Sequence, residues 1–288
     1  MDEFGAVLKA RTLVNKVKPQ SIPVPVESYA QELNALIRPD SDLGPDEPGY
    51  SFPSNGKHFV CPNPQDKEER QRFTICHELA HIAMALPSQH DQLPWWSYAK
   101  RPLAEIFCDI FAAELLLPHH LFKPLAEKAP IGLSAIDDLA VRFCASNTAA
   151  GSRFAALIST PCAFVISEKG KVRYASRSTS LREANAWIAP RIELPVGSLS
   201  ARVRAGAVAS AGEEIDADVW FSDWERGGVV IEEARHLAKW DQTVTLLWFE
   251  DEEVPQERRR VEDSAEQDTD LEELDGILRF KDKRGGRY

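Results

Sequence analysis

The stretch Arg72-Phe73-Thr74-Ile75-Cys76-His77-Glu78-Leu79-Ala80-His81-Ile82-Ala83-Met84 carries two histidines four residues apart, with a glutamate directly after the first. On a helix, residues four apart lie on the same face, so His77 and His81 can present two imidazole nitrogens to one metal ion. Glu78 lies one position round the helix, where its carboxylate can take a proton from an attacking water. The pattern predicts a helical metal site that activates water.

The alternative is a surface helix that carries two histidines by chance. Against this, Phe73, Cys76, Ala80 and Ala83 recur at the three- and four-residue spacing typical of a buried stripe. A helix in the core turns its histidines inward, and buried polar groups need a partner. A divalent cation provides one, so the spacing favours a metal site.

The chain of 288 residues is long enough for two domains, or for one domain with an appendage. It contains no apolar run approaching the roughly 20 residues that span a bilayer, which predicts no membrane association. The N-terminus has no basic region followed by an apolar stretch, so no secretory signal is expected. Five cysteines without Cys-x-x-Cys spacing are typical of a reducing compartment. We therefore expect a cytoplasmic protein.

The net charge is −11, and the C-terminal stretch contributes much of it. From Glu250 to the end there are 14 Asp/Glu and 8 Lys/Arg, so about −6 lies there. Such a balance repels nucleic-acid phosphates unless a basic patch is concentrated elsewhere, and none is evident. Residues 251–288 are predicted to be an acidic, disordered tail, in which Leu271, Leu274, Ile277 and Leu278 could dock on the body or on a partner.

A second helix is predicted from about Pro102 to Leu117, and it should supply a third ligand, since two histidines leave a zinc site short of one. Glu105 and Glu114 are nine residues apart, about 900° of helical rotation, and therefore lie on opposite faces. Glu105 shares its face with Asp109, which can accept the second ring N–H of a ligating histidine. Glu105 is therefore favoured as ligand, and Glu114 is assigned a solvent or interdomain role.

Together these motifs resemble the ImmA/IrrE family of zinc metallopeptidases. The motifs are Arg72-Phe73-Thr74-x-x-His77-Glu78-Leu79-x-His81 and Glu105-x-x-Cys108-Asp109-x-Phe111-Ala112-Ala113-Glu114-Leu115-Leu116-Leu117-Pro118, within residues 20–160. The resemblance implies a zincin-like, mainly helical domain with a small sheet. It also implies that His77, His81 and Glu105 bind zinc, with manganese as an alternative, and that Glu78 is the general base.

This chain departs from the family pattern at two positions of the second motif. Cys108 and Asp109 stand where alanine and asparagine are common in the family. Asp109 preserves a polar group. With Cys76 also close to the motif, the thiols leave open a contribution to metal binding or to redox sensitivity.

The chain is divided by pattern into a metallopeptidase domain (1–130), a helix-turn-helix-like segment (131–160) and an α+β domain (161–250). From Leu121 to Thr160 there are four Lys/Arg and three Asp/Glu, and the second helix of the segment carries only Arg153. Weak phosphate neutralisation favours a scaffold or a protein-recognition surface, although a DNA-reading role stays open.

The third part is predicted to contain strands at 163–167, 171–175, 218–221, 228–231 and 243–249, with a helix at 180–188. By analogy with longer IrrE-like family members, it would be a GAF-like, sensor-like domain whose small-molecule signal is unknown. Trp220, Trp224 and Trp240 could line a pocket, but core packing is favoured.

Near the N-terminus, helices are predicted around residues 4–8 and 25–33. Lys57–Cys61 has β-character, and Asn63 is the predicted cap of the motif helix. The strand at Lys57–Cys61 could hold an extended substrate by main-chain pairing, or could be an ordinary sheet edge.

The residues predict a metal-dependent endopeptidase, and the resemblance implies that it cleaves a helix-turn-helix transcriptional repressor. Cleavage would derepress genes for stress response, DNA-damage response or mobile elements. One alternative is a DNA- or protein-binding regulator in which the metal is structural; another is a metal-dependent hydrolase of small amides. The oxyanion stabiliser is unassigned, with His58, Tyr98, His119 and His120 as candidates.

Overall fold

The computed structural model describes residues 2–86, 102–208, 210–250 and 254–255, and these form an α+β structure. The described helices are α1 (Glu3–Val17), α2 (Val26–Glu32), α3 (Glu68–Met84), α4 (Leu103–Leu116), α5 (His119–Ala126), α6 (Leu133–Phe143), α7 (Asn147–Leu157), α8 (Thr179–Glu183) and α9 (Leu199–Arg204). The described strands are β1 (Ala35–Ile37), β2 (Gly49–Ser54), β3 (Lys57–Pro62), β4 (Cys162–Glu168), β5 (Lys171–Arg177), β6 (Glu213–Asp216), β7 (Val229–Leu237) and β8 (Gln242–Trp248).

Helix α3 carries the first motif. Of its predicted stripe, Cys76 and Ala80 are fully buried, whereas Phe73 and Ala83 are partly exposed and pack against the same core. The guanidinium of Arg72 donates to the carbonyl of Val24 at 2.7 Å, which ties α3 to the segment before α2. The arginine of the motif is therefore a structural anchor of the helix.

The predicted cap of α3 was wrong. The helix begins at Glu68, after Lys67, five residues beyond Asn63. The Asn63 side chain instead donates to the carbonyls of Gly44 and Glu47, at 2.9 Å each. Its side-chain oxygen, the atom that would cap a helix, accepts from the backbone N–H of Gln65 at 2.9 Å in the turn before α3, so Asn63 ties this turn to the loop before β2.

The small sheet has the order β1-β3-β2, with β3 parallel to β1 and antiparallel to β2. The predicted strand is therefore β3, and it lies in the centre. Because both of its edges are paired, β3 cannot hold a substrate by main-chain pairing, and it is not a sheet edge either. Among the described strands, β2 is an edge of this sheet, and the sequence pattern did not reveal it.

Helix α7 lies on the second sheet. A methyl group at Gly151 would come within 2.4 Å of Phe164 Cε2, so only glycine allows this approach of α7 to β4. On β5, the Ser176 hydroxyl donates to the carbonyl of Ser152 at 2.8 Å. The second helix of the helix-turn-helix-like segment is therefore held against the sheet at Gly151 and Ser152.

The second sheet has the order β5-β4-β8-β7-β6 and is antiparallel throughout. The strand predicted at 218–221 was wrong, because Ala217–Val219 form a 3₁₀ turn that buries Trp220 and Phe221 in the core. The helix predicted at 180–188 is shorter, Thr179–Glu183. Trp220 and Trp224 pack in the core, whereas Trp240 is 59% exposed.

Two apolar clusters cover the two faces of this sheet. Along β4, Phe164 and Ile166 join a cluster that runs back to α1, while Ala163 and Val165 face a cluster built around Trp220. The first cluster contains residues from both sides of the predicted boundaries at 130 and 160. The predicted tail lies outside the described residues except for 254–255. Within the described ranges, no helix is both long and apolar enough to cross a membrane.

Candidate metal centre

Helices α3 and α4 pack against each other and bring three potential ligand side chains together. His77 Nε2 lies 3.1 Å from Glu105 Oε2 and 3.2 Å from His81 Nε2. His81 Nε2 lies 3.5 Å from Glu105 Oε1. Two imidazoles from one helix and one carboxylate from the other therefore converge on a single point.

These distances fit a bound divalent cation. Two ligand atoms of a tetrahedral zinc ion, each about 2.1 Å from the metal, lie about 3.4 Å apart. The observed separations of 3.1 to 3.5 Å agree with that spacing. His81 is 4% exposed, and its Nδ1 has no hydrogen-bond partner within the described parts of the chain. Imidazole and carboxylate are donors that suit zinc and also manganese.

Asp109 orients one of the imidazoles. The Nδ1 of His77 lies 2.9 Å from Asp109 Oδ1, which leaves Nε2 directed toward Glu105 and His81. Burial lowers the pKa of His77, but its hydrogen bonds to Asp109 and Glu105 outweigh this and raise the pKa to about 10. Burial raises the pKa of Glu105, and the bonds to both histidines bring it well below its usual range. The Glu105 carboxylate is therefore ionised at neutral pH, and an ionised carboxylate attracts a cation.

Glu78 is 3% exposed, and its Oε2 accepts a hydrogen bond from the Ser51 hydroxyl at 2.6 Å. Ser51 lies on β2, and no sequence signal pointed to it. Two residues earlier, a methyl group at Gly49 would come within 2.7 Å of Thr74 Cγ2, so β2 lies directly on α3. This close contact brings the Ser51 hydroxyl to the carboxylate.

Of the two thiols that the sequence left open, Cys108 is the one at the centre. Its sulfur is within 4.8 Å of ligand atoms of both His77 and His81, and its side chain is fully buried. Cys76 is also fully buried, and burial raises the pKa of its thiol to about 12. Cys76 is therefore an apolar core side chain that stays protonated.

Glu114 lies on the opposite face of α4, as the helical rotation predicted. Of its two expected roles, solvent and interdomain, the solvent role was wrong, because the side chain is buried against two other helices. Its carboxylate is 2% exposed and lies 2.7 Å from the Arg153 guanidinium of α7 and 3.4 Å from that of Arg11 of α1. This buried ion pair joins three helices away from the metal ligands.

Of the oxyanion candidates, His58 lies on β3, and His119 and His120 have contacts with groups other than the three converging side chains. His120 Nε2 lies 3.0 Å from the carbonyl of Pro19. The pKa of His119 is lowered by burial and by Arg11 and Arg153, which places this ring beside the Glu114 ion pair. Tyr98 lies outside the described residues.

Comparison with known proteins places the two helices of the centre within a known domain. The family model for the IrrE N-terminal-like domain matches residues 30–154, which contain α3 and α4. A curated relative, the radiation response metalloprotease IrrE of Deinococcus deserti, is 33% identical over 99 residues, which are 32% of this chain and 34% of that protein. The matched region thus spans about one third of that relative's length.

The fold has a counterpart among solved structures. A Mycobacterium tuberculosis transcriptional regulator aligns with a TM-score of 0.57 at 14% identity, covering 85% of this chain and 76% of that one. At this identity the likeness concerns the fold alone. Residues 30–154 of the chain therefore belong to the IrrE N-terminal-like domain family, in agreement with the resemblance that the two motifs carry.

Proposed function

We propose that this domain is a metal-dependent endopeptidase with zinc as its ion and manganese as the alternative. The observation that carries the proposal is the convergence of His77, His81 and Glu105 within 3.1 to 3.5 Å, with Glu78 next in the chain to His77. A zinc ion held there would polarise the scissile carbonyl and make water nucleophilic at neutral pH. In this proposal the domain is zincin-like, and residues 161–250 are GAF-like.

The chain's own residues would divide the remaining work. Glu78 takes a proton from the attacking water and delivers it to the leaving amine. Ser51 holds one oxygen of that carboxylate, which limits its rotation and keeps it in position for proton transfer. Asp109 keeps the His77 ring in the orientation that directs Nε2 to the ion.

A peptide substrate is favoured over a small amide by strand β2. In the described structure, the outer edge of β2 is without a partner strand, and Ser51 of that strand touches the general base. An extended peptide can add to such an edge through main-chain hydrogen bonds. We propose a helix-turn-helix repressor as substrate, as the family resemblance implies, and the name of the curated relative, a radiation response metalloprotease, supports a role in a stress response. Derepression of stress, DNA-damage or mobile-element genes would follow.

The alternative of a DNA-binding regulator finds less support in the helix-turn-helix-like segment. Arg153 is the one basic residue of α7, and its guanidinium is engaged by buried Glu114. The Gly151 face of the same helix is pressed against Phe164. A recognition helix needs a free face and phosphate-binding cations, so a scaffold role fits α7 better.

The five cysteines are free thiols, which agrees with the proposed cytoplasmic location.

The proposal is tested by comparing new protein N-termini in host cells that express the wild type or Glu78→Gln, with and without DNA damage. Glu78→Gln keeps the shape of the side chain but removes the base, so zinc content should be unchanged and proteolysis lost. A new terminus inside one repressor, seen only with the wild type, is the expected result. Identical termini in both strains, together with a normal response in the variant, would refute proteolysis and favour a structural metal.

A further inference from the structure

We propose that Cys108 is a fourth protein ligand of the ion, and that its thiolate closes the position that water and substrate require. The inference rests on the proposed metal site and concerns its regulation and its choice of metal. With the sulfur bound, the centre is a closed four-ligand zinc site; with the sulfur withdrawn, it is the open three-ligand site of a hydrolase.

The position of Cys108 on α4 supports this role. Cys108 lies three residues after Glu105 and directly before Asp109, and both neighbours contact His77. These three side chains therefore share the face of α4 that meets α3. The side chain of Cys108 is fully buried, so its sulfur is enclosed in this interface and not exposed to solvent.

The distances allow the sulfur to reach the ion. Zinc binds thiolate at about 2.3 Å and imidazole at about 2.1 Å, which separates sulfur from nitrogen by about 3.6 Å in a tetrahedral site. The sulfur of Cys108 already lies within 4.8 Å of ligand atoms of His77 and His81. The remaining gap, about 1.2 Å at most, is within the reach of a side-chain rotation.

The resulting ligand set has a regular helical arrangement. His77 and His81 are an i, i+4 pair on α3, and Glu105 and Cys108 are an i, i+3 pair on α4. Pairs of ligands at such spacing on facing helices are a common way to hold metals between helices. A thiolate is a soft donor, so its addition favours zinc or cobalt over manganese.

The test uses the full-length chain loaded with Co²⁺, which reports sulfur ligation by a charge-transfer band in the near ultraviolet. The wild type and Cys76→Ala should both show this band, and Cys108→Ala should lose it while still binding one equivalent of cobalt. Cys76→Ala is the matched control, because Cys76 is also fully buried but belongs to the core. We also expect Cys108→Ala to lose about tenfold or more in zinc affinity, with little change for manganese.

Two outcomes separate this inference from the proposed function. If the wild type binds one cobalt ion but its spectrum equals that of Cys108→Ala, the thiol is a packing residue and the inference is refuted alone. If neither protein binds cobalt, the inference and the proposed metal centre both fail. Circular dichroism and the urea midpoint of each variant establish that a lost band does not come from unfolding.

Discussion

Removal of the Asp109 carboxylate should weaken metal binding through the orientation of His77. Asp109 Oδ1 lies 2.9 Å from His77 Nδ1 and does not need to touch the ion itself. Loss of such a supporting carboxylate typically reduces metal affinity by about 10- to 100-fold, or about 1.4 to 2.7 kcal/mol. We expect Asp109→Ala to lie in this range. Asp109→Asn should lose less, since its amide oxygen can still accept the ring N–H.

The assay is zinc binding in competition with a chelator of known affinity, at a pH at which the wild type can be saturated with zinc. Asp46→Ala is the control, because it removes the same charge from an exposed loop position. If Asp109→Ala binds zinc as tightly as Asp46→Ala does, the carboxylate does not orient the ligand. Another contact would then have to orient the His77 ring.

Three further changes test the contacts that position the site. Ser51→Ala should lower peptidase kcat about tenfold at unchanged zinc affinity, with recovery in Ser51→Thr, since only the hydroxyl contact to the general base is lost. Gly151→Ala should destabilise the fold by about 1 to 3 kcal/mol in urea unfolding, because its methyl group overlaps Phe164; an unchanged midpoint would show that α7 is not packed there. Arg153→Met leaves Glu114 buried without its closest cation and should cost about 3 to 5 kcal/mol by the same measurement, most of it regained when Glu114 is also replaced by Leu.

The side chains that we propose as metal ligands could be placed on common helix faces from spacing, because this geometry is local. The i, i+4 separation of His77 and His81, and that of Glu105 and Asp109, fixes their common direction on any regular helix. The same periodicity predicted that Glu114 lies on the other face of α4, and the structure confirms this. What spacing could not provide was the partner of Glu114, because Arg153 lies 39 positions further along the chain on another helix.

The errors share a different cause. Asn63 has the residue type of a helix cap, but nearby loop carbonyls bind its amide. Residues 218–221 have the apolar pattern of a strand, yet Trp220 and Phe221 fill the core from a 3₁₀ turn. In both places a tertiary contact outweighs a local preference that amounts to about 1 kcal/mol or less.

The sequence by itself determined that His77 and His81 share one helix face and that Glu105 and Asp109 share another, because side-chain direction within a helix follows from its 3.6-residue repeat. Only the tertiary structure decided that these helices face each other closely enough to bring imidazole and carboxylate within 3.1 Å. It also decided that Ser51 meets Glu78 and that Cys108, not Cys76, lies beside the histidines. Such contacts depend on how whole elements pack, and packing is set by the shape of the entire core, which no local pattern encodes.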